Sequence, residues 1–117
     1  MIDQKAQELG RLLGQSEEYK SLLRADERLK GDAECRGLLE QVRTLDEEIE
    51  RGGREGREPS SDQLQRYEAA VRALQAHPVY QQWVSAQANF EKLMLKVNGQ
   101  IAEGIKKGAA SPIITLG

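Results

Sequence analysis

Apolar residues recur three and four positions apart along nearly the whole chain, the spacing that gathers side chains on one face of an α-helix. In "IDQKAQELGRLLG" the residues Ile2, Ala6, Leu9 and Leu13 follow this rule. Gly14 ends or bends that helix. Ser16 then has the character of an N-cap, with Glu17 and Glu18 in a first turn where the helix dipole favours negative charge. Tyr19, Leu22, Leu23 and Leu29 make the next apolar set. The short Gly14-Gln15-Ser16 junction leaves open whether these are two helices or one bent rod.

"KGD" at residues 30–32 is a second break, with Gly31 as helix stop and Asp32 as the next cap. Cys35, Leu38, Val42, Leu45 and Ile49 then form a coiled-coil-like seam. Glu40, Asp46, Glu47 and Glu50 fall on its solvated face. "RGGREGREPSS", residues 51–61, interrupts the period with glycines and a proline, which predicts a flexible linker over about 51–60. Ser60 with Gln63 fits a capping box for a fourth helix carrying Leu64, Tyr67, Val71 and Leu74.

"HPVYQQWVSAQANF", residues 77–90, holds the only histidine, tryptophan and phenylalanine. Pro78 suits a first helical position, because its missing N–H would lack an intrahelical partner anyway. From there Val79, Trp83, Ala86, Phe90, Leu93, Val97, Ile101 and Ile105 make one stripe to about Lys107. A helix of roughly 30 residues spans about 45 Å, and a compact globule of this length is about 35 Å across. The helix should overhang a compact monomer, and Val97, Ile101 and Ile105 at its far end need cover. The pattern predicts an all-α, elongated, self-associating bundle of four to five helices with a long C-terminal helix. Residues 1–108 form a single helical domain. The tail, 109–117, is breaker-rich and then apolar; it is either disordered or docks Ile113, Ile114 and Leu116 on a neighbour.

Composition agrees with one small helical domain. Of 117 residues, 38% are hydrophobic, 4% aromatic and 31% charged, so the core is aliphatic and the exterior charged. Net charge is −2. Residues 31–58 carry five basic and nine acidic groups, and residues 78–117 four basic and two acidic. No strong basic stripe of the kind that grips phosphate backbones is visible. The single cysteine, Cys35, cannot form an internal disulfide, and with one histidine it cannot make a zinc site. The charged start lacks a signal peptide's apolar stretch, and no run approaches the roughly 20 residues of a membrane span. A cytoplasmic protein is expected.

Candidate chemistry is sparse. His77 could be a base or a metal ligand, but no partner nucleophile or orienting carboxylate is identifiable; a helix-boundary role is preferred. Tyr80, Trp83 and Phe90 could stack bases. Trp83 and Phe90 share the aliphatic stripe, however, and read better as packing knobs, with Trp83 a candidate interface anchor. Asp46, Glu47 and Glu50 lack the opposed Glu-x-x-His motifs of a di-iron bundle. Cys35 lies on an apolar seam and reads as a small buried hydrophobe. Arg51, Arg54 and Arg57 offer a low-ranking auxiliary contact for phosphates or an acidic partner. No catalytic, cofactor-binding or metal residue is assigned.

"AQELGRLLGQSEEYKSLLRADERLKGDAECRGLLEQV" resembles the amino-terminal half of the YlbF/YmcA family of bacterial cell-fate regulators. The matching positions are Ala6, Leu9, Gly10, Ser16, Glu18, Tyr19, Leu22, Ala25, Leu29, Asp32 and Ala33. "HPVYQQWVSAQANFEKLMLKVNGQI" is similar to the other half through Pro78, Ala86, Phe90, Leu93, Val97, Asn98 and Ile101. His77 stands where the family usually has Asn, and Trp83 near its usual Tyr. The resemblance covers roughly residues 2–106. It implies a self-associating helical protein that is not an enzyme. Relatives act with one another and with YaaT in an accessory complex linked to ribonuclease Y-dependent RNA maturation and to competence, biofilm formation and sporulation. Some complexes of the family carry iron–sulfur clusters through cysteines, including ones near the carboxyl terminus. This tail has none, and no cofactor is expected.

The expected function is that of a non-catalytic regulatory adaptor. Its partners would be itself, as homodimer or higher oligomer, other YlbF/YmcA-family proteins, a YaaT-like protein and ribonuclease Y. Candidate interface residues are Tyr80, Trp83, Phe90, Met94, Val97, Ile101 and Ile105. The alternative is a small RNA-binding protein using the Arg-Gly linker and the basic C-terminal helix, which the near-neutral charge disfavours.

Overall fold

A computed structural model shows five helices: α1 (Ile2–Gly14), α2 (Glu17–Gly31), α3 (Ala33–Arg54), α4 (Ser61–Ala76) and α5 (Pro78–Ala110). The structure describes residues 1–110, and no strand occurs among them. The proposed docking of Ile113, Ile114 and Leu116 lies outside the described residues.

The breaks fall where side chains can cap the next helix. Ser16 Oγ accepts from the Tyr19 N–H at 3.1 Å, and Asp32 Oδ1 accepts from the Cys35 N–H at 2.8 Å. At α4 the capping box is complete: Ser60 Oγ accepts from Gln63 N at 3.0 Å, and Gln63 Oε1 accepts from Ser60 N at 3.1 Å. Each bond satisfies an amide that the first helical turn leaves without an internal partner. The first two helices are separate, divided at Gln15 and Ser16.

The expected linker is shorter than the glycines suggested. α3 continues through Arg51, Gly52, Gly53 and Arg54 before it stops. Its end is a Schellman motif: Arg57 N–H donates to Gly52 O at 2.7 Å and Gly56 N–H to Gly53 O at 3.1 Å. Gly56 takes the left-handed φ of 77° that this motif places just past the cap. Arg51 and Arg54 in the last turn complement the dipole. Two helical glycines cost about 2 kcal/mol relative to alanine, a penalty that a fully bonded helix end can offset.

α2 pairs with α5, and α3 pairs with α4; the other consecutive helices touch much less. The chain therefore ascends through α1, α2 and α3, turns after Arg54, and descends through α4 and α5. The result is a rod two helices thick, 72 × 36 × 20 Å. Its radius of gyration is 21.9 Å, against about 13 Å for a compact domain of this length. A helix with one main neighbour covers only part of its apolar stripe. Among the described residues the buried core is accordingly confined to Ala25, Cys35, Leu45, Ala70, Leu74 and Ala86. Alanine and cysteine dominate because close helix approach favours small side chains. Leu64, expected in the α4 stripe, is exposed, and the buried pair on α4 is Ala70 and Leu74.

Candidate interaction surface

The lower half of the rod is the α2–α5 pair. Tyr19 and Phe90 meet with ring centroids 5.5 Å apart and planes tilted by 54°. Arg28 donates to Gln82 across the same pair. These contacts set an antiparallel register and place Phe90 against its own chain. Tyr80 and Trp83, neighbours on α5, stack with centroids 6.0 Å apart. Tyr80, Trp83, Phe90, Met94 and Val97 are all half-buried. Ala25 and Ala86 form the floor of an open groove flanked by Ser21, Arg24, Arg28 and Gln82.

The two halves of the rod join where Asp32 and His77 face each other. His77 closes α4 and opens α5. Its Nδ1 accepts from the Val79 N–H at 3.2 Å, so that nitrogen carries no proton. Nε2 faces Asp32 at 3.6 Å and Glu34 at 3.9 Å. The imidazole thus does the capping work of a short polar side chain, as the boundary reading expected. Cys35 is fully buried beside this joint. Burial pushes its thiol upward from the ordinary value, and the Asp32 and Glu34 carboxylates push the same way. Such a thiol stays protonated and is a poor nucleophile. Asp46, Glu47 and Glu50 lie on the exposed face of α3. Among the described residues, no group of three or more His, Cys, Asp or Glu side chains is placed to hold a metal ion.

The arginines of the Gly-rich segment are largely engaged locally. Arg54 lies 3.7 Å from Glu50, one turn back, and Arg57 pairs with Glu55.

The other end of the rod is different. α5 has 33 residues and α2 has 15. At 1.5 Å per residue these are about 50 Å and 22 Å, so α5 runs far past the start of α2. Every residue from 98 to 110 is exposed. Leu95, Ile101 and Ile105 retain 72%, 47% and 66% of their accessible surface. α1 joins the start of α2 through Gln15 and Ser16, makes its main contact with α2, and has no buried residue. Ile2 and Leu12 on α1 are 84% and 66% exposed. Most of the strongly exposed large apolar side chains therefore gather at one end of the molecule. Ile101 and Ile105, candidates from the stripe spacing, are exposed, and so are Ile2, Leu12 and Leu95, which the spacing did not single out as candidates. The available signal was the mismatch between the lengths of α5 and α2.

A family model described as "Control of competence regulator ComK, YlbF/YmcA" matches residues 2–106. The chain belongs to the YlbF/YmcA family. No curated protein and no solved structure matched it. The match spans all five helices up to the last turn of α5, so the exposed end lies within the YlbF/YmcA region. No helix among the described residues of this YlbF/YmcA protein is long and apolar enough to cross a membrane.

Proposed function

We propose that this YlbF/YmcA chain is a non-catalytic regulatory adaptor that works in the cytoplasm by helix-mediated association. The observation that carries the proposal is the uncovered apolar end formed by α1 and the last turns of α5. An apolar patch of this kind marks a surface that another protein covers. The first partner is a second copy of the chain. Tyr80, Trp83, Phe90, Met94 and Val97 support the interface from the half-buried part of α5, and Ile101 and Ile105 enter it directly. Through the resulting assembly the protein would engage other YlbF/YmcA proteins, a YaaT-like protein and ribonuclease Y. It would thereby modulate RNA processing and developmental gene expression.

Two measurements test this. Light scattering on the wild type should give at least a dimer mass, and the Ile101→Lys/Ile105→Lys variant should give a monomer. Unchanged mass between the two would remove the overhang argument. A pull-down from native extract with mass spectrometry should recover a family member or a ribonuclease; recovery of neither would remove the assigned partners.

A further inference from the structure

We infer that α1 is an exchanged arm: in the dimer, α1 of each chain lies along the unpaired end of α5 of the other. The inference rests on the self-association proposed above and names the segment that covers the exposed end. Its first support is length. α1 has 13 residues, and the fully exposed stretch 98–110 is equally long. Together they supply roughly 26 residues per chain, within the 20–30 per side of a stable interface.

The second support is the match between the two faces. Tyr19 beside Phe90 and Arg28 beside Gln82 fix how α2 opposes α5. Carrying that register onward places Leu13 opposite Val97, Leu9 opposite Ile101 and Asp3 opposite Lys106. Leu13 and Leu9 meet apolar partners, while Ile105 falls level with Lys5 and Ile2 with Gly108. The acidic residue in the first turn of α1 meets the basic residues Lys106 and Lys107 near the end of α5. An arm in this site continues the α2–α5 packing by two further apolar layers.

The third support is the joint. A chain could in principle fold α1 back along its own α5, yet α1 makes its main contact with α2 and has no buried residue. The bend is fully hydrogen-bonded. Gln15 N–H reaches Arg11 O at 3.1 Å and Ser16 N–H reaches Leu13 O at 3.1 Å. Ser16 Oγ donates to Leu13 O at 2.6 Å while accepting from Tyr19 N–H. A short ordered hinge that holds an arm off its own body is the geometry that favours exchange between identical chains. Two reciprocal arms give a twofold-symmetric dimer in which each α1 covers Val97 and Ile101 of the other chain.

The test is a pairwise cross-link. A Leu9→Cys chain and an Ile101→Cys chain, carrying tags of different mass, are coexpressed and oxidised. The mixed disulfide is expected at roughly tenfold or more over the product from a Leu9→Cys chain paired with a Glu47→Cys chain. Leu12→Cys with Asn98→Cys, both at exposed positions, repeats the measurement without touching a half-buried side chain. A dimer mass by light scattering with neither mixed disulfide overturns arm exchange and leaves self-association standing. A monomer mass overturns both.

Discussion

Removing the Tyr19–Phe90 contact tests whether the lower half of the rod is held within one chain. Phe→Ala in a core costs about 3–5 kcal/mol. Phe90 is only half-buried, which reduces the expected loss to about 2 kcal/mol. Tyr19→Ala should cost a similar or smaller amount. The informative quantity is the coupling. Centroids 5.5 Å apart at a 54° tilt fall in the favoured geometry for aromatic pairs, worth about 0.5–1.5 kcal/mol beyond area. The assay is urea unfolding of wild type, both single variants and the double variant at one fixed protein concentration, because association would shift apparent stability. The cycle is then repeated in the Ile101→Lys/Ile105→Lys background. A contact made inside one chain keeps its coupling there. Coupling below about 0.3 kcal/mol, the additivity of sites that do not touch, would refute the register on which the lower half is built. Coupling that disappears only in the lysine background would place Phe90 between chains.

Other consequences are equally direct. His77→Ala should destabilise the protein by about 1 kcal/mol through loss of the α5 cap, and His77→Asn should retain most of that stability; equal losses in the two variants would discount the Val79 bond. Ala86→Leu should cost about 1–3 kcal/mol by wedging α2 from α5, whereas Ala88→Leu on the exposed side should stay within about 0.5 kcal/mol; denaturation midpoints decide. The folded state raises the Cys35 thiol above its ordinary value of 9.0, so the unfolded chain loses this proton first. Stability from this group is present below that pH and is lost as pH rises through the raised value. Thermal melts from pH 8 to 10.5 should show an alkaline loss that Cys35→Ala reduces, and native Cys35 should resist iodoacetamide until the chain unfolds.

Much of the fold was legible because it is local. Helix starts depend on a side chain two or three residues before the amide it caps, so Ser16, Asp32 and Ser60 announced themselves in sequence. The stripe from Val79 to Ile105 likewise declared a long helix whatever it packs on. The errors came where local preference and fold disagreed. Gly52 and Gly53 are poor helix formers, yet α3 carries them into a Schellman end. Leu64 has the right spacing for the core, yet the inward face of α4 runs through Tyr67, Ala70, Val71 and Leu74, and Leu64 stays exposed.

The candidate surface divides in the same way. The spacing of Ile101 and Ile105 was enough to mark them as apolar positions in need of cover. That Phe90 is held by Tyr19 depends on a contact between residues far apart in the chain, and periodicity within one helix carries no such information. Family membership, the helical stretches and the caps at Ser16, Asp32 and Ser60 could be read from the order of residues, since a cap or a helical turn rests on interactions spanning a few positions; that α1 and α2 are two helices could not. Only the tertiary structure decided that α2 stops short of the end of α5 and that α1 buries no side chain. Which apolar faces are left for a partner depends on how helix lengths and joint angles add up in space, and no single stretch of sequence contains that sum.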